Sequence, residues 1–408
     1  MDSNYPMPEL VVGVRDEGTL SACSQYADAV YFSVDRLSLR SRAKAITVDN
    51  LSGFVRSVRE KGLKAYLVVN SVIYPEDTAD LSTILNAARK AKVDAIVAWD
   101  PAVILQASSI GLDIHISTQA NVSNAKTAEF YGYLGASRII LSRELSLDQI
   151  KQIRQHTAIE LEVFVHGAMC QAISGRCYLS AYLLGKSGNC GQCTQPCRWE
   201  WTLNADDGSQ VQVGGKYLLS ARDLCMIEHI PQLVEAGIDA FKIEGRLRDS
   251  RYISTVSRCY SEALEACRSG KFENNQVLEW KQQLCAVYNR GFSTGFYFGK
   301  PSREGFIVEK DMNASQTLKE LIGEVVNYYK NQGAAYVKLT DSALSIGDTI
   351  LIEGENTHLE QHVSSMQVEG NNIKSAEKGM DVGLAVNDRV RPNDKVFRIK
   401  YPDTSGSE

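Results

Sequence analysis

No stretch of the 408-residue chain approaches the ~20 consecutive apolar residues that span a bilayer. Its first residues lack the basic, apolar, small-residue order of a secretory signal. The chain therefore reads as a cytoplasmic protein with no membrane partner. An excess of positive charge is also missing: 44 Lys and Arg stand against 49 Asp and Glu, a formal net charge of −5. Proteins that coat long nucleic acid by counterion release carry a basic surplus, so any RNA contact here falls to local patches. Arg36, Arg40, Arg42 and Lys44 form one candidate patch, and Arg246, Arg248 and Arg251 another. Hydrolase signatures are absent too. There is no Ser-His-Asp pattern and no H-E-x-x-H. The one conceivable Cys–His pair is Cys170 with His166, four residues earlier.

What is present reads as alternating strand and helix over the first two-thirds. Short β-branched runs at 10–14, 28–33, 63–69, 94–98, 112–117, 137–141, 160–166 and 238–243 predict strands. Helical patterns follow them, for example at 50–61, 82–92, 146–155, 221–236 and 249–269. Repeated βα units predict a parallel sheet with right-handed crossovers. Eight strands is the count that closes a TIM-like (β/α) barrel, with a doubly wound open sheet as the alternative. In a barrel, function gathers at the C-terminal strand ends. Those ends are polar here: Asn70, Asp100, Gln119, Asn121, Arg143, Glu144, His166, Glu244 and Arg246. From about residue 322 the pattern changes to short strands, including 323–329, 335–339, 349–353, 362–366 and 396–400, separated by turn signals. The expected organisation is a barrel over 1–300, a linker over 301–321 and a small all-β barrel over 322–402, the last a binding or docking module.

Six of the ten cysteines fall at 170, 177, 190, 193, 197 and 225. In a reducing compartment, clustered cysteines serve as metal ligands or redox groups more often than as disulfides. Soft thiolates suit zinc or an iron–sulfur cluster. The spacing C-x6-C-x12-C-x2-C-x3-C fits poorly to the two close knuckles of a structural zinc site. It suits a larger cluster reached from several loops. Zinc, a redox dithiol at Cys190 and Cys193, and inert thiols stay open on spacing alone.

The stretch Glu162-Val-Phe-Val-His166-Gly167-Ala-Met-Cys170-Gln-Ala-Ile-Ser174-Gly175-Arg176-Cys177-Tyr-Leu-Ser180 closely resembles the signature of the collagenase-like U32 peptidase family. Further blocks resemble that family's segments: Ser117-Thr-Gln-Ala-Asn121, Arg143-Glu-Leu-Ser146, Gly191-Gln-Cys193-Thr-Gln-Pro-Cys197-Arg-Trp199, Leu219-Ser-Ala-Arg-Asp-Leu-Cys225, Phe241-Lys-Ile-Glu-Gly-Arg246 and Thr294-Gly-Phe-Tyr-Phe-Gly299. The resemblance spans essentially the whole chain. One departure is the first strand, which ends in A-P-A-G in the family and reads Val12-Gly13-Val14-Arg15 here.

Within the family the chain is most similar to tRNA hydroxylation protein P-like members. Despite the peptidase label, that branch implies oxygen-independent hydroxylation, forming 5-hydroxyuridine at the tRNA wobble position, with a 4Fe–4S cluster and prephenate as a small-molecule cosubstrate. The resemblance implies Cys170, Cys177, Cys193 and Cys197 as cluster ligands, with zinc as the alternative metal and Cys190 and Cys225 as competing thiols. His166, Glu144 and Glu244 are then candidate acid–base groups. Arg143, Arg176, Lys242 and Arg246 are candidates for phosphate or a dicarboxylate. His115, Gln119 and Asn121 are candidates for reading a base edge or a small acid. A peptidase, or hydroxylation of an rRNA base or a quinone precursor, are the competing functions.

Overall fold

The computed structural model describes residues 5–39, 45–204, 206, 210–211, 219–301, 305, 313–354 and 357–400. Arg40, Arg42 and Lys44 lie outside the described residues. Eight parallel strands form a ring: β1 (Glu9–Gly13), β2 (Ala29–Phe32), β3 (Lys64–Val68), β4 (Ala95–Ala98), β5 (Ile114–Ile116), β6 (Ala136–Ile140), β7 (Glu160–Gly167) and β8 (Ala240–Ile243). Each pairs with its sequence neighbour, and β8 pairs in parallel with both β7 and β1. The barrel is therefore closed, and the open-sheet alternative is set aside. These strands are buried on both faces, which is why they read as continuous apolar runs rather than as alternation.

The surrounding helices form where apolar residues recur at helical spacing. Leu51–Glu60 buries Leu51, Phe54, Val55 and Val58. The long Ser250–Arg268 helix starts at Asp249, whose carboxylate accepts the Tyr252 backbone N–H at 2.8 Å. It turns Tyr252, Val256, Tyr260 and Ala263 onto the barrel. The helix expected over 221–236 is different. Asp223–Cys225 instead forms a strand antiparallel to the end of β7, and the helix is confined to Ile230–Glu235. Pro231 explains the late start, because proline is tolerated only in the first turn.

At the mouth, β1 and β8 end where Gly13 and Gly245 pass each other. A Cβ on Gly245 would stand 2.3 Å from Ile253 Cδ1 and 2.4 Å from the Gly13 carbonyl oxygen. Gly245→Ala must therefore push backbone away from backbone. Overpacking of this kind costs about 1–3 kcal/mol, so the melting midpoint should fall by roughly 3–10 °C. A midpoint within one degree of the parent would show that the strand ends part freely.

The C-terminal module is all-β. Eight of its strands, from Leu318–Tyr329 to Lys395–Lys400 in chain order, form one antiparallel sheet, and Leu344–Ser345 pairs with Ser375–Ala376 in a second, two-stranded one. Ile322, Val325, Val337, Ile350, Ile352 and Val396 belong to its own core. The strand expected over 362–366 is instead two strands, Thr357–His362 and Met366–Val368. Between them Val363 turns to bond Asp348 and Gly347. The module meets the barrel through charge pairs, Arg251 Nε to Glu360 at 2.9 Å and Lys319 Nζ to Asp249 at 2.8 Å. Among the described residues, no helix is long and apolar enough to cross a membrane.

Candidate functional site

The C-terminal strand ends open on a cavity of about 330 Å³. Val68, Val97, Ile140, Phe164 and Lys242 form its floor, and the connection from β7 to β8 supplies its cysteine-bearing wall. Five cationic groups line it: Arg143, Arg198, Lys242, Arg246 and Arg290. Glu244 is the one carboxylate among its described lining residues, and no histidine is among them.

Packing and hydrogen bonds hold these groups in place. The Arg143 guanidinium lies 3.7 Å over the Phe164 ring, donates to the Ala168 carbonyl at 2.7 Å, and has Glu244 3.9 Å away. Arg246 donates to Ser38 Oγ at 2.8 Å. Asn70 then links this corner to the next strand. Its Oδ1 accepts the Leu39 N–H at 3.1 Å, and its Nδ2 donates to Gln119 Oε1 at 3.2 Å. The hydroxyl of Ser117 also donates to Gln119. Lys242 projects through the floor over the Tyr31 ring, 4.0 Å from its centre, and bonds Glu162 Oε1 at 2.5 Å. Burial pulls the Lys242 ammonium pKa down, and Glu162 opposes that pull.

Cys170, Cys177, Cys193 and Cys197 all line this cavity. Cys177 accepts the Leu179 backbone N–H at 3.5 Å, and Cys193 accepts that of Gln195 at 3.4 Å. Burial raises the Cys197 thiol pKa, Arg198 opposes this, and the nearby Cys170, Cys193 and Cys177 add to the rise. Four thiols sharing one wall are a soft donor set of the kind that a cationic centre would stabilise. Among the described residues, no three His, Cys, Asp or Glu side chains converge closely enough to hold a single ion. Cys190 is not part of the wall; its sulfur lies 3.9 Å from the Tyr74 hydroxyl. Cys225 is buried behind β7, 3.9 Å from the Tyr260 hydroxyl.

Sequence reasoning overlooked Arg198 as a site residue. Its guanidinium donates to the Met169 carbonyl, beside Cys170, and reaches Ser220 Oγ at 3.1 Å and the Ala221 carbonyl at 2.5 Å. It thereby ties the Cys197 segment to the Cys170 segment. The available signal was its place in the Cys197-Arg-Trp block.

Several expected site residues lie elsewhere. His166 sits on the outer face of β7, packed among Tyr252, Tyr260 and Phe292. Strict alternation from Glu162 through Phe164 would aim it inward. The pairing with β8 slips by one residue between Phe164 and His166, and such a bulge turns the following side chain over. Burial, reinforced by Arg248, lowers the His166 pKa to about 3, so it is neutral at ordinary pH. His115 is buried edge-on to Tyr66 at 4.6 Å and does not line the cavity. Glu144 is exposed and accepts from Asn121 at 3.4 Å, and neither lines the cavity. Arg176 is exposed at the rim, 4.2 Å over the Trp99 ring. The basic stretch Arg246, Arg248, Arg251 is no surface patch. Arg246 and Arg251 are buried, Arg251 pairs with Glu360, and Arg248 stacks 4.1 Å over Tyr288. Arg36 is solvated and paired with Asp80 at 2.9 Å.

The model of peptidase family U32 matches residues 17–306 of this chain. A protein of Methanocaldococcus jannaschii described as an uncharacterized protease is 43% identical over 405 residues, covering 97% of this chain and 98% of its own. A collagenase of Porphyromonas gingivalis is 37% identical over 397 residues, covering 94% of this chain and 95% of that protein. The tRNA hydroxylation protein P1 of Bacillus subtilis is 32% identical over 329 residues, covering 79% of this chain and 78% of its own. With the family's match running through the barrel and every cysteine of the cavity wall, the chain belongs to peptidase family U32.

Proposed function

We propose that this chain hydroxylates a pyrimidine base of RNA without molecular oxygen, with the wobble uridine of tRNA as the first candidate substrate. A 4Fe–4S cluster held by Cys170, Cys177, Cys193 and Cys197 belongs to this reading. The observation that carries it is a single cavity lined by four thiols and five cationic groups. Soft thiolates are the ligand type that iron–sulfur clusters take. When bound, a cluster would supply redox or Lewis-acid chemistry at the barrel mouth. The chain's own residues do the rest. Arg143 and Arg246 present guanidinium forks to an anionic cosubstrate, for which a dicarboxylate such as prephenate is the fitting class. Lys242 adds a cation at the floor. In this reading Glu244 accepts a proton from the base. The base must enter unstacked, and a loop nucleotide is already unpaired.

A peptidase is the second reading, favoured by the names of the two relatives with higher identity. The cavity opposes it, because no described histidine lines it to activate Cys170 as a nucleophile. Mass analysis of nucleosides from a strain lacking this chain tests the first reading, and a 5-hydroxypyrimidine nucleoside should disappear from its RNA. An unchanged nucleoside profile, together with peptide cleavage that survives loss of all four thiols, would replace hydroxylation with hydrolysis.

A further inference from the structure

The rim of the cavity carries aromatic rings that no core buries. The Leu179–Leu184 helix projects from the cysteine-bearing connection. Tyr178 is 68% exposed and Tyr182 is 87% exposed, their ring centres 6.5 Å apart. Tyr74, from the loop after β3, joins them; it is 43% exposed, and its hydroxyl reaches Cys190. Arg176 lies flat over Trp99 nearby. Single exposed aromatics are common on protein surfaces. A group of them beside a functional cavity marks an interaction surface.

Charge shows what that surface would meet. From residue 163 to residue 199 the chain contains no Asp or Glu, while the exposed Arg176 and Lys186 add two cations; Arg198 is buried, and Glu76 and Asp77 lie beside Tyr74. This stretch sits in a chain whose formal net charge is −5. Flat rings, a stacked guanidinium and a locally cationic segment together match a polyanion with exposed planar groups. We infer that Tyr74, Tyr178 and Tyr182, with the Arg176–Trp99 pair, form a stacking platform for unpaired nucleotides that flank the base entering the cavity. This rests on the RNA reading of the cavity. Single-stranded RNA is recognised by stacking on aromatic and arginine planes. A duplex keeps its base faces stacked internally and has none to offer the rim.

The test uses the full-length protein, purified without oxygen, and a labelled RNA hairpin with an anticodon-sized loop. Tyr178→Ala combined with Tyr182→Ala should weaken hairpin binding by about tenfold to a hundredfold. Tyr178→Phe with Tyr182→Phe should restore it. The dependence of affinity on salt should be the same in the alanine variant as in the parent, because no charge has been removed. Lys186→Gln should instead lower that slope by about one. Equal melting midpoints for the alanine and phenylalanine variants show that folding is not the cause of any loss.

The inference is overturned if the alanine variant binds the hairpin as the parent does, or if it loses blunt duplex RNA to the same extent. It is also overturned if the substitutions change only the sedimentation of the protein, since the rim is then an interface between two copies. Tyrosine-dependent hairpin binding with unchanged cellular nucleosides would keep the platform and remove the hydroxylation reading. Lost nucleosides with tyrosine-independent binding would do the reverse.

Discussion

Replacing Cys193 with serine should strip the anaerobically purified protein of most of its iron and sulfide, while Cys190→Ser leaves both unchanged. The two residues are only three apart in sequence, so this contrast tests the fold rather than the composition. Cys193 lines the cavity with Cys170, Cys177 and Cys197, and its sulfur already accepts the Gln195 backbone N–H. Cys190 ends a short 3₁₀ turn, Gly188–Cys190, and reaches Tyr74 instead. Cys225→Ser should behave like Cys190→Ser, because Cys225 is buried at Tyr260 behind β7. A fourth protein separates ligation from positioning. Arg198 offers no ligand atom, yet it holds the Met169 carbonyl next to Cys170. Loss of a group that orients a metal ligand typically lowers metal affinity by about 10–100-fold. Arg198→Ala should therefore retain a cluster on purification and release it to a chelator much faster than the parent. One equivalent of zinc with no sulfide in the parent protein would overturn the cluster reading at its root.

Much of this was legible in the sequence, for a physical reason. Strands buried on both faces announce themselves as short apolar runs, so the eight strands and their order could be counted. The polar residues that end them were equally visible, and Gln119, Arg143, Glu244 and Arg246 do meet at one cavity. The misplaced residues depend on backbone geometry and packing rather than on residue type. His166 lies at the correct end of β7, yet one extra residue before it reverses the face it presents. Asn121 has a left-handed backbone, φ 52°, and that turn carries its side chain to Ser142 and Glu144 instead of the cavity. The short strand Asp223–Cys225 was hidden because three residues carry too little periodicity to oppose a helical pattern around them. Arg246 and Arg251 read as surface charge, and only the packed structure shows the partners that allow them to be buried.

The largest effect on stability should come from Glu162, beneath the cavity floor. Its carboxylate is fully buried between two cations, Lys242 Nζ at 2.5 Å and Arg138 Nη1 at 3.2 Å. Arg138 also holds Glu9 at 2.9 Å and Glu160 at 2.7 Å. Burial alone would raise the Glu9 pKa, but Arg138 and Lys64 hold it down at about 2. Among the described residues, Lys242 has no second carboxylate of this kind within ion-pair distance. Glu162→Gln removes the charge and keeps the shape, leaving the Lys242 ammonium buried without its counter-charge. Breaking one side of a buried pair typically costs about 3–5 kcal/mol, and chemical unfolding of the variant should show a loss of that size. Replacing both partners, Glu162→Leu with Lys242→Met, should recover most of it, because apolar side chains need no counter-charge. The double variant would then separate the pair's two consequences. If Lys242 serves only the fold, the recovered protein should bind a dicarboxylate as the parent does. If Lys242 is the floor of an anion site, stability returns and dicarboxylate affinity does not, which the cavity's cationic lining leads us to expect. A Glu162→Gln protein as stable as its parent would mean that the Glu162–Lys242 pair adds nothing net to the fold.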